Sequence, residues 1–104
     1  MSKVYRLQYS PDSKQDLDDI FSYLLDKFAP DAAINLVFEI ETRVKHLKEF
    51  PYSHPLWSFA SDFPRETRHF PVIPYRVFYH VIEPVQIVEI LRVLHERVDT
   101  KNTN

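Results

Sequence analysis

Apolar and polar residues alternate from Val4 to Tyr9, with Tyr5, Leu7 and Tyr9 on one side and Arg6 and Gln8 on the other. A period of two is that of a half-buried strand. The period then lengthens: Leu17, Ile20, Phe21, Leu24 and Phe28 recur at helical spacing. Ser10 and Pro11 mark where this helix starts, because serine caps free N–H groups, proline's fixed φ suits the first helical position, and Asp12 favours the positive end of the helix dipole. The helix ends before Pro30. Asp31 opens a second helix, whose stripe is Ala33, Leu36, Val37, Ile40, Val44 and Leu47, with Glu39, Arg43, Lys45 and Lys48 on the wet side; it closes near Phe50 and Pro51. With about three residues between them, the helices form an antiparallel hairpin whose joint apolar face needs a sheet to cover.

The second half reads as strands. Residues 51–64 hold three prolines with Trp57, Phe59 and Phe63 and no period, so they form an irregular loop pinned by aromatics. Arg65 to Val72, Tyr75 to Ile82 and Val85 to Leu94 are strand-like, the last two joined by a turn at Glu83 and Pro84. In the last strand Val88, Ile90 and Leu94 alternate against Ile87, Leu91 and Val93, as expected of a central strand covered on both faces. The order β-α-α-β-β-β predicts an α+β fold: an antiparallel sheet made mainly by the last three strands, joined by the first, with the helical hairpin packed on one face. Leu17, Ile20, Phe21, Leu24, Leu36, Val37, Ile40, Val44, Val77, Tyr79, Ile90 and Leu91 are the expected core.

A chain of 104 residues makes one domain, here 1–104 with a polar tail from about Asp99. No stretch approaches the roughly 18 uncharged apolar residues of a membrane helix, and the segment MSKVYRLQY is charged where a signal peptide has its apolar run, so a soluble, cytoplasmic protein is expected. There are no cysteines, which excludes disulfides, thiolate nucleophiles and cysteine zinc sites. Glycine is also absent, and without it neither a phosphate loop nor a dinucleotide turn can be built, so no cofactor is expected. A net charge of −2 lacks the basic excess that sequence-independent nucleic-acid binding needs.

Cations are segregated. All lysines but Lys101 lie at or before Lys48, while Arg65, Arg68, Arg76, Arg92 and Arg97 lie in the strand-rich half. The guanidinium fork binds carboxylates and phosphates bidentately, so arginines on a sheet suit phosphate recognition or an acidic partner; internal pairing with Glu66, Glu83, Glu89 and Glu96 is the alternative. The sheet face away from the helices, with Arg68, Arg76 and Arg92, is the candidate functional face. Of five histidines none has the spacing of a metal motif, and no metal site is expected. His95 stands out because the last strand runs out there beside Glu96 and Arg97, where an imidazole either moves a proton or is simply a histidine satisfied at a strand end, the second being the commoner case for an isolated residue.

Tyr75-Arg76-Val77-Phe78-Tyr79-His80-Val81, followed after a turn by Val88-Glu89-Ile90-Leu91-Arg92-Val93-Leu94-His95-Glu96-Arg97, resembles the C-terminal signature of the RelE/ParE superfamily of toxins. Ser10-Pro11, Asp16-Leu17-Asp18-Asp19-Ile20 and Tyr23 resemble the family's opening, and Leu47 to Pro51 its helix end. The resemblance implies the toxin half of a type II toxin–antitoxin module, associated with plasmid stabilization and growth arrest and neutralised by a cognate antitoxin. It implies two alternative targets. RelE-like and YoeB-like members cleave mRNA in the ribosome without a metal, which would assign catalysis to His95, Arg68 and Arg97. ParE-like members inhibit DNA gyrase, and on that reading Arg92, His95 and Arg97 serve structure or contact the antitoxin or gyrase; Arg76, Arg92 and Tyr79 are the expected binding residues. The run Ile90 to Asp99 is closer to the ParE-like ending, and no arginine stands just before Tyr75 where RelE-like toxins have one. Gyrase inhibition is therefore expected, with ribosome-dependent cleavage as the alternative and a non-toxic binding or repressor subunit as a further one.

Overall fold

A computed structural model describes residues 4–59 and 61–97; the polar tail expected from Asp99 lies outside the described residues. β1 (Arg6–Tyr9) leads into α1 (Pro11–Asp26) and α2 (Pro30–His46). β2 (Arg68–Val72), β3 (Tyr75–Ile82) and β4 (Ile87–His95) follow, with a 3₁₀ turn at Glu83–Val85 between the last two. The sheet order is β1-β4-β3-β2. β2, β3 and β4 are antiparallel neighbours, while β1 lies parallel to β4 with Arg6 opposite Ile87 and Tyr9 opposite Ile90, so the sheet is mixed. β4 is central, as its apolar composition requires.

The ends of α1 follow from its sequence. Ser10 Oγ accepts from the Ser13 amide at 3.0 Å and Ser13 Oγ returns a bond to the Ser10 carbonyl at 2.9 Å, with Pro11 in the first turn. The Ser10 hydroxyl also donates to the Leu91 carbonyl at 2.8 Å, fastening the helix start to β4. Pro30 begins α2, and Arg43, Lys45 and His46 populate its last turn, where the dipole favours cations. α2 stops at His46, short of the expected Phe50, because Leu47, Lys48 and Glu49 bond back only three residues and tighten the chain out of the helix.

The core lies between hairpin and sheet. Ile40, Val44, Leu47, Val77, Tyr79, Val88 and Ile90 are fully buried, with Leu17, Leu24 and Leu36 packed against them. The expected core members Phe21, Val37 and Leu91 are only half-buried. For Leu91 the reason is a register shift at Phe78 and Tyr79: Phe78 faces Arg92 while Tyr79 faces Ile90, which leaves Leu91 as the extra residue of a β-bulge. The bulge also corrects the expected alternation of β4, since Val88, Ile90 and Val93 now share the core face.

The other face of the sheet is roofed at one place by the loop after α2. Residues 55–57 run along the outer edge of β2, with a bridge between Leu56 and Arg68 and with Trp57 N donating to the Thr67 carbonyl at 2.7 Å. This sets the Trp57 ring edge-on to Phe78 at 5.0 Å and stacks Phe63 on Phe78 at 4.7 Å, leaving Phe78 fully buried. No helix among the described residues is long and apolar enough to cross a membrane.

Candidate functional site

The arginines expected to share one open face are instead distributed among separate structural tasks. Arg68 is opposite Tyr79 in the register, and cross-strand partners share a face, so Arg68 lies on the helix side of the sheet rather than the open side. Its guanidinium donates to the His54 carbonyl at 2.7 Å and lies 5.1 Å from the Tyr52 ring centroid. The Tyr52 phenol in turn donates to Glu83, which also accepts from the Tyr5 hydroxyl at 2.8 Å. These contacts tie β1, the loop after α2 and the β3–β4 turn together, and the bonds to Glu83 push both phenols above their ordinary range.

Arg76 does face away from the helices. It donates to Glu96 Oε1 at 2.7 Å and lies 2.7 Å from His69 Nδ1; a guanidinium only donates, so Nδ1 accepts and the His69 proton sits on Nε2. Burial, and then the adjacent Arg76 charge, holds the His69 pKa below its usual value. One strand step along, His80 Nε2 and Gln8 Nε2 both donate to Glu89, at 2.8 and 3.0 Å. These bonds, the His80 one first, lower the Glu89 pKa. The open face thus carries two satisfied polar clusters rather than bare cations.

Arg92 forms a bidentate pair with Asp16 of α1, at 2.7 and 2.8 Å, and Asp16 Oδ2 also accepts the Val93 amide at 2.9 Å. Asp16 has a signal in the sequence only as part of an aspartate run; the helix phase that turns Leu17, Ile20 and Leu24 to the core brings it to β4. Tyr79, expected to bind a partner, is fully buried and donates to the Pro51 carbonyl at 2.8 Å, which leaves a partner nothing to touch.

The three residues assigned to cleavage are not gathered. His95 is opposite Tyr75, whose ring it meets edge-on at 5.4 Å, and Arg68 is opposite Tyr79 at the far side of β3. Four residues along a strand and two strand spacings place their Cα atoms on the order of 16 Å apart. The exposed Arg97 follows β4, its amide donating to His95 Nδ1 at 3.2 Å. Among the described residues no three His, Asp or Glu side chains are grouped as metal ligands would be.

Burial raises the pKa of Tyr9 and of Tyr79 to about 12, with the Glu41 charge adding to the effect at Tyr9. A phenol whose folded pKa is raised stabilises the fold fully below the unfolded value near 10, and that contribution is lost as pH rises through about 12. Tyrosinate absorbance should therefore show Tyr9 and Tyr79 among the late-titrating phenols, together with Tyr5, Tyr52 and Tyr75, whose pKa values are also raised, with unfolding accompanying the ionisation of the buried pair. Replacement of Tyr79 by Phe should remove one of them and cost about 1 kcal/mol for the bond to Pro51.

Residues 7–100 match the model of the ParE toxin of type II toxin–antitoxin systems, parDE. The fold is similar to a chain in the structure of the chromosomal ParDE toxin–antitoxin system from P. aeruginosa, with a TM-score of 0.70 and 22% identity over 90% of this chain and 98% of that one. It is also similar to a chain in the RelBE2 toxin–antitoxin complex from Mycobacterium tuberculosis, with a TM-score of 0.55 and 22% identity over 88% and 91% of the two chains. None of the curated protein sequences matches it. With the family model spanning nearly the whole sheet and hairpin, the chain belongs to the ParE toxin family of type II toxin–antitoxin systems.

Proposed function

We propose that this toxin arrests growth in the cytoplasm by inhibiting DNA gyrase and is neutralised by a cognate antitoxin. The observation that carries the choice of target is the dispersal of the cleavage candidates. In-line cleavage of RNA needs a base, an acid and a cation around one phosphate, all within hydrogen-bond reach. Arg68 is spent on a backbone carbonyl and a tyrosine ring, far from His95. The net charge of −2 also gives no general attraction for RNA. On this reading the protein acts by binding and breaks no bond itself. Both similar structures are of toxin–antitoxin systems, which supports an antitoxin as the partner.

Induction without antitoxin should stop thymidine incorporation before methionine incorporation, and purified toxin should inhibit supercoiling by gyrase. Arg68→Ala and His95→Ala should retain the arrest if they fold. Methionine incorporation stopping first, with arrest abolished by His95→Ala, would instead establish ribosome-dependent cleavage. Expression without any growth effect would leave a binding or repressor subunit.

A further inference from the structure

Residues 54–57, which lie along the outer edge of β2, are seated against a histidine on one face of the sheet and by a histidine of their own on the other. His69 N donates to the Pro55 carbonyl at 3.1 Å and the Arg68 guanidinium to the His54 carbonyl at 2.7 Å, next to the bridge between Leu56 and Arg68. On the open face the Trp57 ring meets the His69 ring edge-on at 4.9 Å. On the helix side the His54 ring lies 4.6 Å from that of Phe70 and edge-on to Tyr79 at 6.3 Å. The Trp57 indole nitrogen is buried with no hydrogen-bond partner among the described residues, so the segment carries an unmet donor even when seated.

Both rings are seated as neutral groups. His69 Nδ1 accepts from Arg76, and a guanidinium keeps its charge, so a second proton on the ring removes the acceptor and sets two cations in contact. Glu96, on the other arm of that guanidinium at 2.7 Å, softens the repulsion but cannot restore the bond, and His54 adds a like charge from the loop. His54 in turn faces Arg43 and His46 of α2, with Arg68 on its carbonyl and Glu39 reaching Arg43 only at 3.8 Å. Burial, and then the nearest arginine in each case, holds both histidines below the ordinary pKa of 6.5. A group whose pKa is lowered in the seated state stabilises that state fully above its free value, and the contribution is lost as pH falls through 6.5 towards the seated value. His80 is the contrast: it meets Glu89, so a proton there turns a hydrogen bond into an ion pair and ties β3 to β4 more firmly.

We propose that residues 54–57 are an acid-released strap: protonation of His69 and His54 lifts this segment from the edge of β2 while the hairpin and the sheet stay folded. The strap occupies the outward amide of His69 and carbonyl of Thr67 and covers part of Phe78. Its release opens a strand edge and an aromatic patch that are closed at neutral pH. The device does not depend on which target the toxin has.

Trp57 is the only tryptophan in the chain, so its emission reports on the strap. Full-length toxin is taken from about pH 8 to about pH 5 while acrylamide quenching of Trp57, hydrogen-exchange protection of the Trp57 and His69 amides, and helical circular dichroism are followed. Below pH 6.5 quenching should rise and protection of both amides should fall, each severalfold, with the dichroism unchanged. His69→Gln keeps an acceptor for Arg76 at every pH and should shrink the transition or move it to lower pH, and His54→Gln should do the same. Dimmer emission with amide protection intact would mean that a protonated His69 quenches Trp57 in a seated strap, and overturns the release. So does dichroism lost at the same pH, which is global unfolding, and so does a transition that both glutamine variants leave in place. The wild-type exchange decides the matter even if a variant fails to fold.

Discussion

Ile90→Ala is expected to lower the free energy of unfolding by about 2–5 kcal/mol, the range for truncating a large aliphatic side chain in a packed core. Ile90 is fully buried on the central strand, with Tyr9 opposite on β1 and Tyr79 opposite on β3. Both neighbours are held by ladder hydrogen bonds, and the buried Ile40 and Val44 of α2 cover the same core. No side chain is free to fall into the space, so the cavity term adds to the transfer term. Leu91→Ala, next in the chain but half-buried in the bulge, should cost clearly less. Urea titration with an unchanged m-value measures both, and equal small losses would show that β4 is not the centre of the core.

Asp16→Ala should be the most damaging polar substitution, at about 2–3 kcal/mol for charge-assisted bonds in a partly shielded site. The carboxylate accepts three bonds, two from Arg92 and one from the Val93 amide, and its side chain is only 12% exposed while that of Arg92 is 38% exposed. Removing it strands an amide beside the bulge, where β1 has already ended and no strand can supply a carbonyl. Asp16→Asn keeps an acceptor for Val93 and should fall between wild type and alanine. A double-mutant cycle with Arg92→Ala isolates the pair itself; additivity would mean that the ion pair adds nothing and that the amide bond is the whole effect. Because Arg92 fixes α1 to β4, loss of toxicity in Arg92 variants has to be read against their folded fraction before any partner contact is assigned.

Periodicity made the helices and β3 legible, the latter from Tyr75 to Ile82, because an apolar stripe reports which face is dry. It does not report which strands are neighbours. The pairing of β1 with β4 joins residues 81 apart, such as Arg6 and Ile87, and no local pattern encodes that it is parallel. The start of β4 moved to Ile87 because Gln86 takes φ 54, a conformation with no marker in a chain without glycine. For the same reason the bulge was invisible, and past it the parity of β4 is reversed, so Val93 is buried where Leu94 was expected. Arg68 faces the helices and not the open side expected of it, because a strand's alternation does not state which parity faces the helices. Tyr79, sought as a binding residue, and Arg92, sought as a cation for a partner, were identified by type, and residue type does not reveal whether the protein has already used the group.

The parallel β1–β4 pair also bears on when the toxin can exist. β1 can join the sheet only through β4, which follows the hairpin, the aromatic loop, β2 and β3 in the chain. During synthesis at roughly 5–20 residues per second, a nascent chain holding everything up to Ile82 still lacks the strand that joins β1 to β3. It has a helical hairpin whose apolar face finds only the β2–β3 pair and not the central strand. Long-range pairing of this kind is slow to nucleate, so toxicity should lag behind translation, and an antitoxin already in the cell has that interval in which to meet the chain.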